Sequence, residues 1–166
     1  MNIFLPYEKN VVASIRSLDD LRLNKQILEC YQLLCNALKE KSGEEIKGYK
    51  IHPIYLHYKD NLQFLCEYGL ACCNEYKYRF KKDHKLFPSF VEKWKNKEIP
   101  KRMVCRYTPF YMEGSIGQPN YIRTIENVSE LFQKKLCIKW ENDKIKSNGK
   151  RPTWTNRQKP NFYKEK

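Results

Sequence analysis

The sequence predicts a mostly α-helical protein, folded as a compact single-domain bundle of about three main helices with long loops and a basic, aromatic C-terminal tail. Apolar residues recur at helical spacing in three segments, helix-starting residues precede the first two, and strand signals are weak throughout. A chain of 166 residues, 41% of them hydrophobic, is long enough to bury one core. We expect a helical domain over residues 1–146 and a tail over 147–166.

The first helix is predicted from Ser17 to about Lys41. Ser17-Leu18-Asp19-Asp20 is a capping sequence, in which the serine hydroxyl accepts an amide hydrogen bond and the acidic residues are favoured near the positive helix end. Apolar residues then recur three and four positions apart, and the helix should end before Gly43 because glycine commonly follows a helix.

Further helices are predicted downstream. His52-Pro53 opens a long second helix, since proline is pre-organised for the first helical turn, and the apolar stripe of this helix runs to Tyr76. A short helix is predicted within residues 86–97 and a third long helix over about 124–142. The stretch 100–121 contains several prolines and glycines and is predicted to form loops.

The net charge of +13 is distributed unevenly along the chain. Residues 77–106 and 134–166 each carry a net charge of +8, whereas residues 1–76 and 107–133 carry −1 and −2. A uniform solubilising coat would not cluster in this way, so the two basic blocks predict two walls of a groove for a polyanion, most simply nucleic acid. A lysine-rich surface made soluble by its charge is the alternative.

Other classes of protein are disfavoured. The apolar runs are too short for a membrane span, and the first residues carry no secretory signal, so we expect an intracellular protein, in the cytoplasm or, in a eukaryotic host, in the nucleus. The seven cysteines include no C-x-x-C pair, which indicates reduced, mostly buried thiols, and their spacing to the three histidines predicts no metal site. Glycine-rich phosphate loops and the common hydrolase motifs are missing from the sequence.

Glu29 is the acidic residue that stands out in the first helix. Arg22, Lys25 and Gln26 precede it by seven, four and three positions, which places all four residues on one helical face. On spacing alone, a surface ion pair between Lys25 and Glu29, worth about 0.3–0.5 kcal/mol, is the simpler interpretation.

The tail combines basic and aromatic side chains, a mixture that suits phosphate contacts and stacking on unpaired bases. Its basic and aromatic members are Lys150, Arg151, Trp154, Arg157, Phe162 and Tyr163. Packing of Trp154 on the helices is the alternative, and both interpretations stay open. His52 is predicted to be a helix-entry residue, and Trp94 and Trp140 are predicted to lie in the core.

Several short segments resemble the pyrimidine-dimer DNA glycosylases of the endonuclease V type, which occur in phages, large DNA viruses and bacteria. The segments are Phe4-Leu5-Pro6-Tyr7, Leu18-Asp19-Asp20-x-Arg22-Leu23-x-Lys25-Gln26-x-x-Glu29, Lys50-Ile51-His52-Pro53, Tyr68-Gly69-Leu70-Ala71-Cys72-Cys73-Asn74-Glu75 and Arg151-Pro152-Thr153-Trp154. They follow the order of the family and span nearly the whole chain.

The resemblance implies a DNA repair glycosylase and abasic-site lyase that acts on pyrimidine lesions, expected to be cyclobutane dimers, in damaged double-stranded DNA. The nucleophile would be the N-terminal amine of Met1, or of Asn2 if Met1 is removed, and Glu29 would move the protons of β-elimination. No metal or organic cofactor is implied, and we expect a monomer. A non-catalytic DNA- or RNA-binding protein on the same scaffold is the alternative.

The resemblance and the charge pattern together predict a set of DNA contacts that is spread over the first helix, the first basic block and the tail. These predicted contacts are Arg22, Lys25, Gln26, Lys101, Arg102, Arg106, Lys150, Arg151, Trp154 and Arg157.

Overall fold

A computed structural model describes residues 2–7, 10–46, 48, 50–101, 111–113, 122–124 and 127–164. These residues form six α-helices and one two-stranded sheet, in the order α1 (Val11–Ser17), α2 (Asp20–Lys41), α3 (Pro53–Tyr58), α4 (Leu62–Phe80), α5 (Phe87–Trp94), β1 (Tyr111–Glu113), β2 (Ile122–Thr124) and α6 (Val128–Lys146). The mostly α class is confirmed, and the long helices α2, α4 and α6 are the three main helices of the bundle.

Helices α2 and α4 run antiparallel at the centre of the core. Tyr68 of α4 donates to Gln26 of α2, and Arg79 near the end of α4 bonds Asp20 at the start of α2. The buried side chains of α2 recur at helical spacing and are mostly apolar, so they form one apolar face that turns toward α4. Its buried apolar residues are Leu23, Ile27, Cys30, Leu33, Leu34, Ala37 and Leu38.

The start of α2 differs from the sequence expectation. Asp19, in an extended conformation, is the N-cap of α2, whereas Ser17 is the last residue of α1 and donates its hydroxyl to the Ser14 carbonyl at 2.7 Å. The prediction that Ser17 caps the first long helix is therefore wrong, because its hydroxyl is already used within α1. The end of α2 at Lys41 agrees with the prediction, and Gly43 has a φ of 78° that favours glycine.

The predicted second helix consists of two helices, α3 and α4. His52 opens α3 as predicted, since its Nδ1 accepts from the Ile54 N–H and Pro53 occupies the first turn. Asn61 then starts α4, and its side-chain oxygen accepts from the Phe64 N–H. The prediction of one continuous helix is wrong because an asparagine side chain can satisfy the backbone donor that a continuing helix would use.

The remaining helices and strands differ from the predicted elements in number and in boundaries. Helix α1 was not expected, and the antiparallel pair of β1 and β2 lies within or beside the stretch expected to form loops. The third long helix, α6, begins and ends four residues later than predicted. Trp140 is fully buried, as predicted, whereas Trp94 is only partly buried at the edge of the core.

Candidate active site

The start of the chain is buried among three helices. Residues 2–6 are buried, and the Phe4 ring lies 5.6 Å from the ring of Phe132 on α6. Gln133 of α6 donates to the Pro6 carbonyl at 2.8 Å, and the Tyr68 hydroxyl of α4 lies 3.2 Å from the Phe4 carbonyl oxygen. The core therefore holds the N-terminal segment in a defined position, instead of leaving it as a free arm.

Gln26 connects this segment to α2. Its Oε1 accepts from the Phe4 N–H at 2.9 Å, and its Nε2 donates to the Asn2 carbonyl at 2.8 Å. The same Nε2 lies 3.2 Å from Glu29 Oε2. One buried side-chain amide thus joins the beginning of the chain to the carboxylate that the sequence singles out.

Glu29 is a largely buried carboxylate with one exposed lysine beside it. Its side chain is 14% exposed, and its Oε1 lies 3.8 Å from Lys25 Nζ, whereas the Lys25 side chain is 66% exposed. Burial raises the pKa of Glu29 above its ordinary value, against the opposing charges of Lys25 and Lys139. A carboxyl group with a raised pKa can accept and return protons closer to neutral pH than a solvated one.

Arg22, expected to contact DNA, is engaged within the protein. Its guanidinium forms ion pairs with Asp143 of α6 and, at 3.3 Å, with Asp19, and its side chain is 11% exposed. Trp140 Nε1 also donates to Asp19, at 2.7 Å. These contacts hold α6 against the start of α2, so a DNA phosphate would have to compete with two carboxylates for Arg22.

Lys139 is a member of this cluster that sequence reasoning missed. It lies on α6 four residues before Asp143, half-buried, and close enough to Glu29 that each charge shifts the pKa of the other side chain. Burial, together with the positive charges of Arg22 and Lys25, lowers the pKa of Lys139. Nothing in its local sequence distinguishes Lys139 from the other lysines of its basic block.

Two predicted tail contacts also face inward. Trp154 is buried, its Nε1 donates to the Ser17 carbonyl at 2.9 Å, and its ring lies 5.0 Å from that of Trp140. Arg157 donates to both oxygens of Glu75, at 2.7 and 2.8 Å, and its guanidinium carbon lies 3.8 Å above the Tyr78 ring. Both residues therefore attach the tail to the helices, which favours the packing interpretation of Trp154.

A buried network that the sequence did not indicate completes this attachment. The fully buried Arg79 donates to the carbonyls of Arg16 and Leu18 and pairs with Asp20. Asp20 in turn accepts from the hydroxyls of Thr153 and Thr155. The tail is thus hydrogen-bonded to the junction of α1 and α2.

The other predicted contacts have different surroundings. Lys101, Lys150 and Arg151 are exposed, and Lys101 Nζ lies 5.5 Å from the centre of the Trp94 ring at the end of α5. Arg151 lines a cavity of about 260 Å³ beside the start of α2. Met1, Arg102 and Arg106 lie outside the described residues.

A groove lies elsewhere on the described surface. It measures about 620 Å³ and runs between α1 and the tail, with Arg16 and Arg157 in its wall, and Glu29 is not among its lining residues. Its volume comes from a shallow seam between two packed segments, so its size does not make it the site of chemistry.

Among the described residues, no group of three or more His, Cys, Asp or Glu side chains is arranged to hold a metal ion. None of the helices formed by these residues has the length and hydrophobicity of a membrane span.

Comparisons with known proteins support the resemblance found in the sequence. The family model described as pyrimidine dimer DNA glycosylase matches residues 1–88, a range that contains the N-terminal segment, Gln26 and Glu29. No curated protein and no solved structure matches the chain. Because the matched range covers more than half of the sequence, the chain belongs to the pyrimidine dimer DNA glycosylase family.

Proposed function

We propose that this protein removes pyrimidine lesions from double-stranded DNA and then cuts the strand as an abasic-site lyase, with its N-terminal amine as nucleophile and Glu29 as the proton-transfer group. The observation that carries the proposal is the hydrogen-bonded path from the Asn2 carbonyl through Gln26 to Glu29. The family assignment supports a glycosylase activity on DNA, and this path supports the division of roles.

The proposed nucleophile belongs to the residue whose carbonyl Gln26 holds or to the residue bonded to it. If Met1 is removed, the nucleophile is the amine of Asn2 itself. If Met1 is retained, its amine belongs to the residue bonded to Asn2, and adjacent Cα atoms are about 3.8 Å apart. In both cases the nucleophile is no more than one residue along the chain from the carbonyl that Gln26 holds.

The chemistry suits these two groups. An α-amine has an ordinary pKa near 8, about two units below that of lysine, so a useful fraction is neutral and nucleophilic at neutral pH. The amine attacks the sugar C1′, the damaged base departs and an imine forms. Glu29 then removes the C2′ proton, and the bond from C3′ to the phosphate oxygen breaks with the electron pair on oxygen.

Exposed cations beside Glu29 and at the base of the tail are suited to hold the DNA backbone. Lys25 lies one turn before Glu29, and Lys150 and Arg151 are exposed at the base of the tail, which contacts the start of α2. These side chains can neutralise phosphates without breaking an internal ion pair. Arg22 and Arg157, by contrast, are proposed to hold the protein together.

Borohydride trapping tests the proposal. The protein is incubated with a duplex containing one abasic site, and separately with one containing a single cyclobutane dimer, and the reduced adduct is mapped by mass spectrometry. We expect a covalent complex on the N-terminal peptide and cleavage of both duplexes. Glu92→Gln, at an exposed position on α5, is the matched carboxylate control and should behave as wild type.

The alternative makes the opposite forecast. A non-catalytic DNA- or RNA-binding protein would bind these duplexes in a salt-dependent manner without trapping or cleavage. That result with a folded protein would overturn the proposed function.

A further inference from the structure

We propose that Lys139 is a second amine of the active site, able to form an imine with the aldehyde of an abasic site. The inference rests on the proposed function, because it uses the same Glu29 and an abasic duplex as substrate. It goes beyond that function by assigning a lyase nucleophile on α6, outside the residues that match the family model.

Two contacts fix the position of Lys139 relative to α2. The neighbouring Trp140 donates to Asp19, and Asp143, one turn further on, pairs with Arg22. Residues four apart lie on the same face of a helix, so Lys139 faces α2 together with Asp143. This face of α6 is therefore held against the start of α2 by two contacts within the turn that follows Lys139.

The carboxylates near Lys139 are engaged by other groups. Asp143 is paired with Arg22, and Glu29 contacts Lys25 and the Gln26 amide. Within the described residues, the Lys139 amine forms no ion pair or hydrogen bond. A half-buried lysine with no partner of its own is suited to chemistry, because no ion pair has to be broken before its amine can react.

The surroundings also favour the neutral amine. Burial is the largest influence and the cations Arg22 and Lys25 add to it, so the pKa of Lys139 is lowered despite the opposing carboxylates. Desolvation next to other cations is a known way to activate a lysine for imine formation. Solvated lysines with an ordinary pKa near 10.4 are almost fully protonated at neutral pH.

The reaction balances without a further reagent. The Lys139 amine adds to the C1′ aldehyde of the ring-opened abasic sugar, and water leaves to give the imine. Glu29 takes the C2′ proton, the C3′–O bond breaks, and the phosphate leaves with the electron pair. Hydrolysis of the imine by water returns the free amine and releases an unsaturated aldehyde on the cleaved strand.

The experiment separates the two amines by acetylating the N-terminus of the full chain during expression. The acetylated chain is trapped with borohydride on an abasic duplex and compared with its Lys139→Arg variant, which keeps the charge but cannot form an imine. We expect the acetylated chain to be trapped on the peptide containing Lys139, and the variant to be trapped at least tenfold less. Lys146→Arg, at an exposed position on the same helix, is the control and should trap as its parent.

The unmodified chain gives a second measurement that does not depend on how acetylation affects folding. Its adduct should lie mainly on the N-terminal peptide, with a smaller share on Lys139 that grows as the pH is raised. Absence of a Lys139 adduct from both chains, or equal trapping by the Arg variant, would overturn the inference. If the unmodified chain is still trapped at its N-terminus, the proposed function stands while the Lys139 inference fails.

Discussion

At the scale of single residues, the proposed chemistry depends on the largely buried environment of Glu29. Gln26 holds one carboxylate oxygen at 3.2 Å and Lys25 lies 3.8 Å from the other. Because Lys25 is largely exposed, solvent screens its charge, and burial prevails in raising the pKa of the carboxyl group. An ordinary surface ion pair would leave Glu29 solvated and unsuited to accept a proton from a sugar carbon.

Glu29→Gln should separate chemistry from DNA binding. Glutamine keeps the size and hydrogen-bonding capacity of the side chain but cannot accept the proton, so strand cleavage should fall by roughly two to four orders of magnitude. Affinity for lesion DNA should hold or rise slightly, since one negative charge near Lys25 and Lys139 is removed. Single-turnover cleavage assays and fluorescence anisotropy measure the two effects. If the purified variant cleaves DNA at the wild-type rate, Glu29 has no catalytic role and is only the partner of an ion pair.

At the scale of secondary-structure elements, a close approach of α4 and α5 fixes the core behind the site. Gly69 of α4 lies against the ring of Phe90 on α5, and a Cβ atom at position 69 would collide with that ring. Phe90 is fully buried and also contacts the Tyr31 ring of α2 at 5.2 Å. Gly69 therefore allows one aromatic side chain to join three helices.

Gly69→Ala should destabilise the protein although alanine favours helix formation. The gain in helix propensity is about 1 kcal/mol, whereas overpacking a buried ring costs about 1–3 kcal/mol and the collision here involves several ring atoms. We expect a net loss of up to about 2 kcal/mol in the free energy of unfolding, measured by urea denaturation. In a Phe90→Leu background, Gly69→Ala should lower the free energy of unfolding by less than it does in the wild-type protein. An alanine variant more stable than wild type would contradict the close approach.

At the scale of the whole molecule, internal ion pairs divide the basic side chains into two groups. Arg22, Arg79 and Arg157 pair with carboxylates inside the fold and attach α6 and the tail to α2 and α4. Lys150 and Arg151 are exposed at the base of the tail. The exposed group can neutralise DNA phosphates without breaking an internal ion pair. Because paired charges cancel, the net charge of +13 is carried by side chains outside these pairs.

The buried pairing of Glu75 should make stability sensitive to acid. Burial raises the pKa of Glu75, but its hydrogen bonds to Arg157 and Arg79 outweigh burial and hold it below the ordinary value of 4.5. The stabilisation is fully present above pH 4.5 and is lost as the pH falls through the lower pKa of the folded state. In Arg157→Gln the acid-unfolding midpoint should move to higher pH, while Arg157→Lys should retain part of the effect. An unchanged midpoint in Arg157→Gln would show that the pair does not control acid stability.

Binding of undamaged duplex should be strongly salt-dependent. If about five phosphates are contacted, log K against log salt has a slope of roughly −4 to −5, and each lost contact reduces it by about 0.9. The double variant Lys150→Gln with Arg151→Gln should therefore reduce the magnitude of the slope by about 2. Lys39→Gln with Lys41→Gln, at the opposite end of α2 from the tail, should leave it unchanged. A slope near zero for the wild-type protein would show that it does not bind nucleic acid through phosphate contacts.

Point substitutions suit this measurement better than deletion of residues 147–166. Trp154 and Tyr163 are buried, and the two rings lie 5.7 Å apart beside that of Trp140. Deleting the tail would expose the apolar surface that these rings cover, and a loss of binding would then report a loss of folding. Neutralising exposed lysine and arginine side chains changes the charge and leaves this packing intact.

The sequence by itself determined the helical class, the end of α2 before Gly43, the opening of α3 at His52 and the family segments that contain Glu29. These signals are local, because helical periodicity, capping and turn preferences depend on residues a few positions apart. Only the tertiary structure decided that Gln26 anchors the N-terminal segment, that Trp154 packs inward and that Lys139 lies close enough to Glu29 for each charge to shift the pKa of the other side chain. The physical reason is that burial and charge pairing depend on which segments meet in space. Gln26 and Asn2 are 24 positions apart in the chain, and the other two contacts join residues more than 100 positions apart.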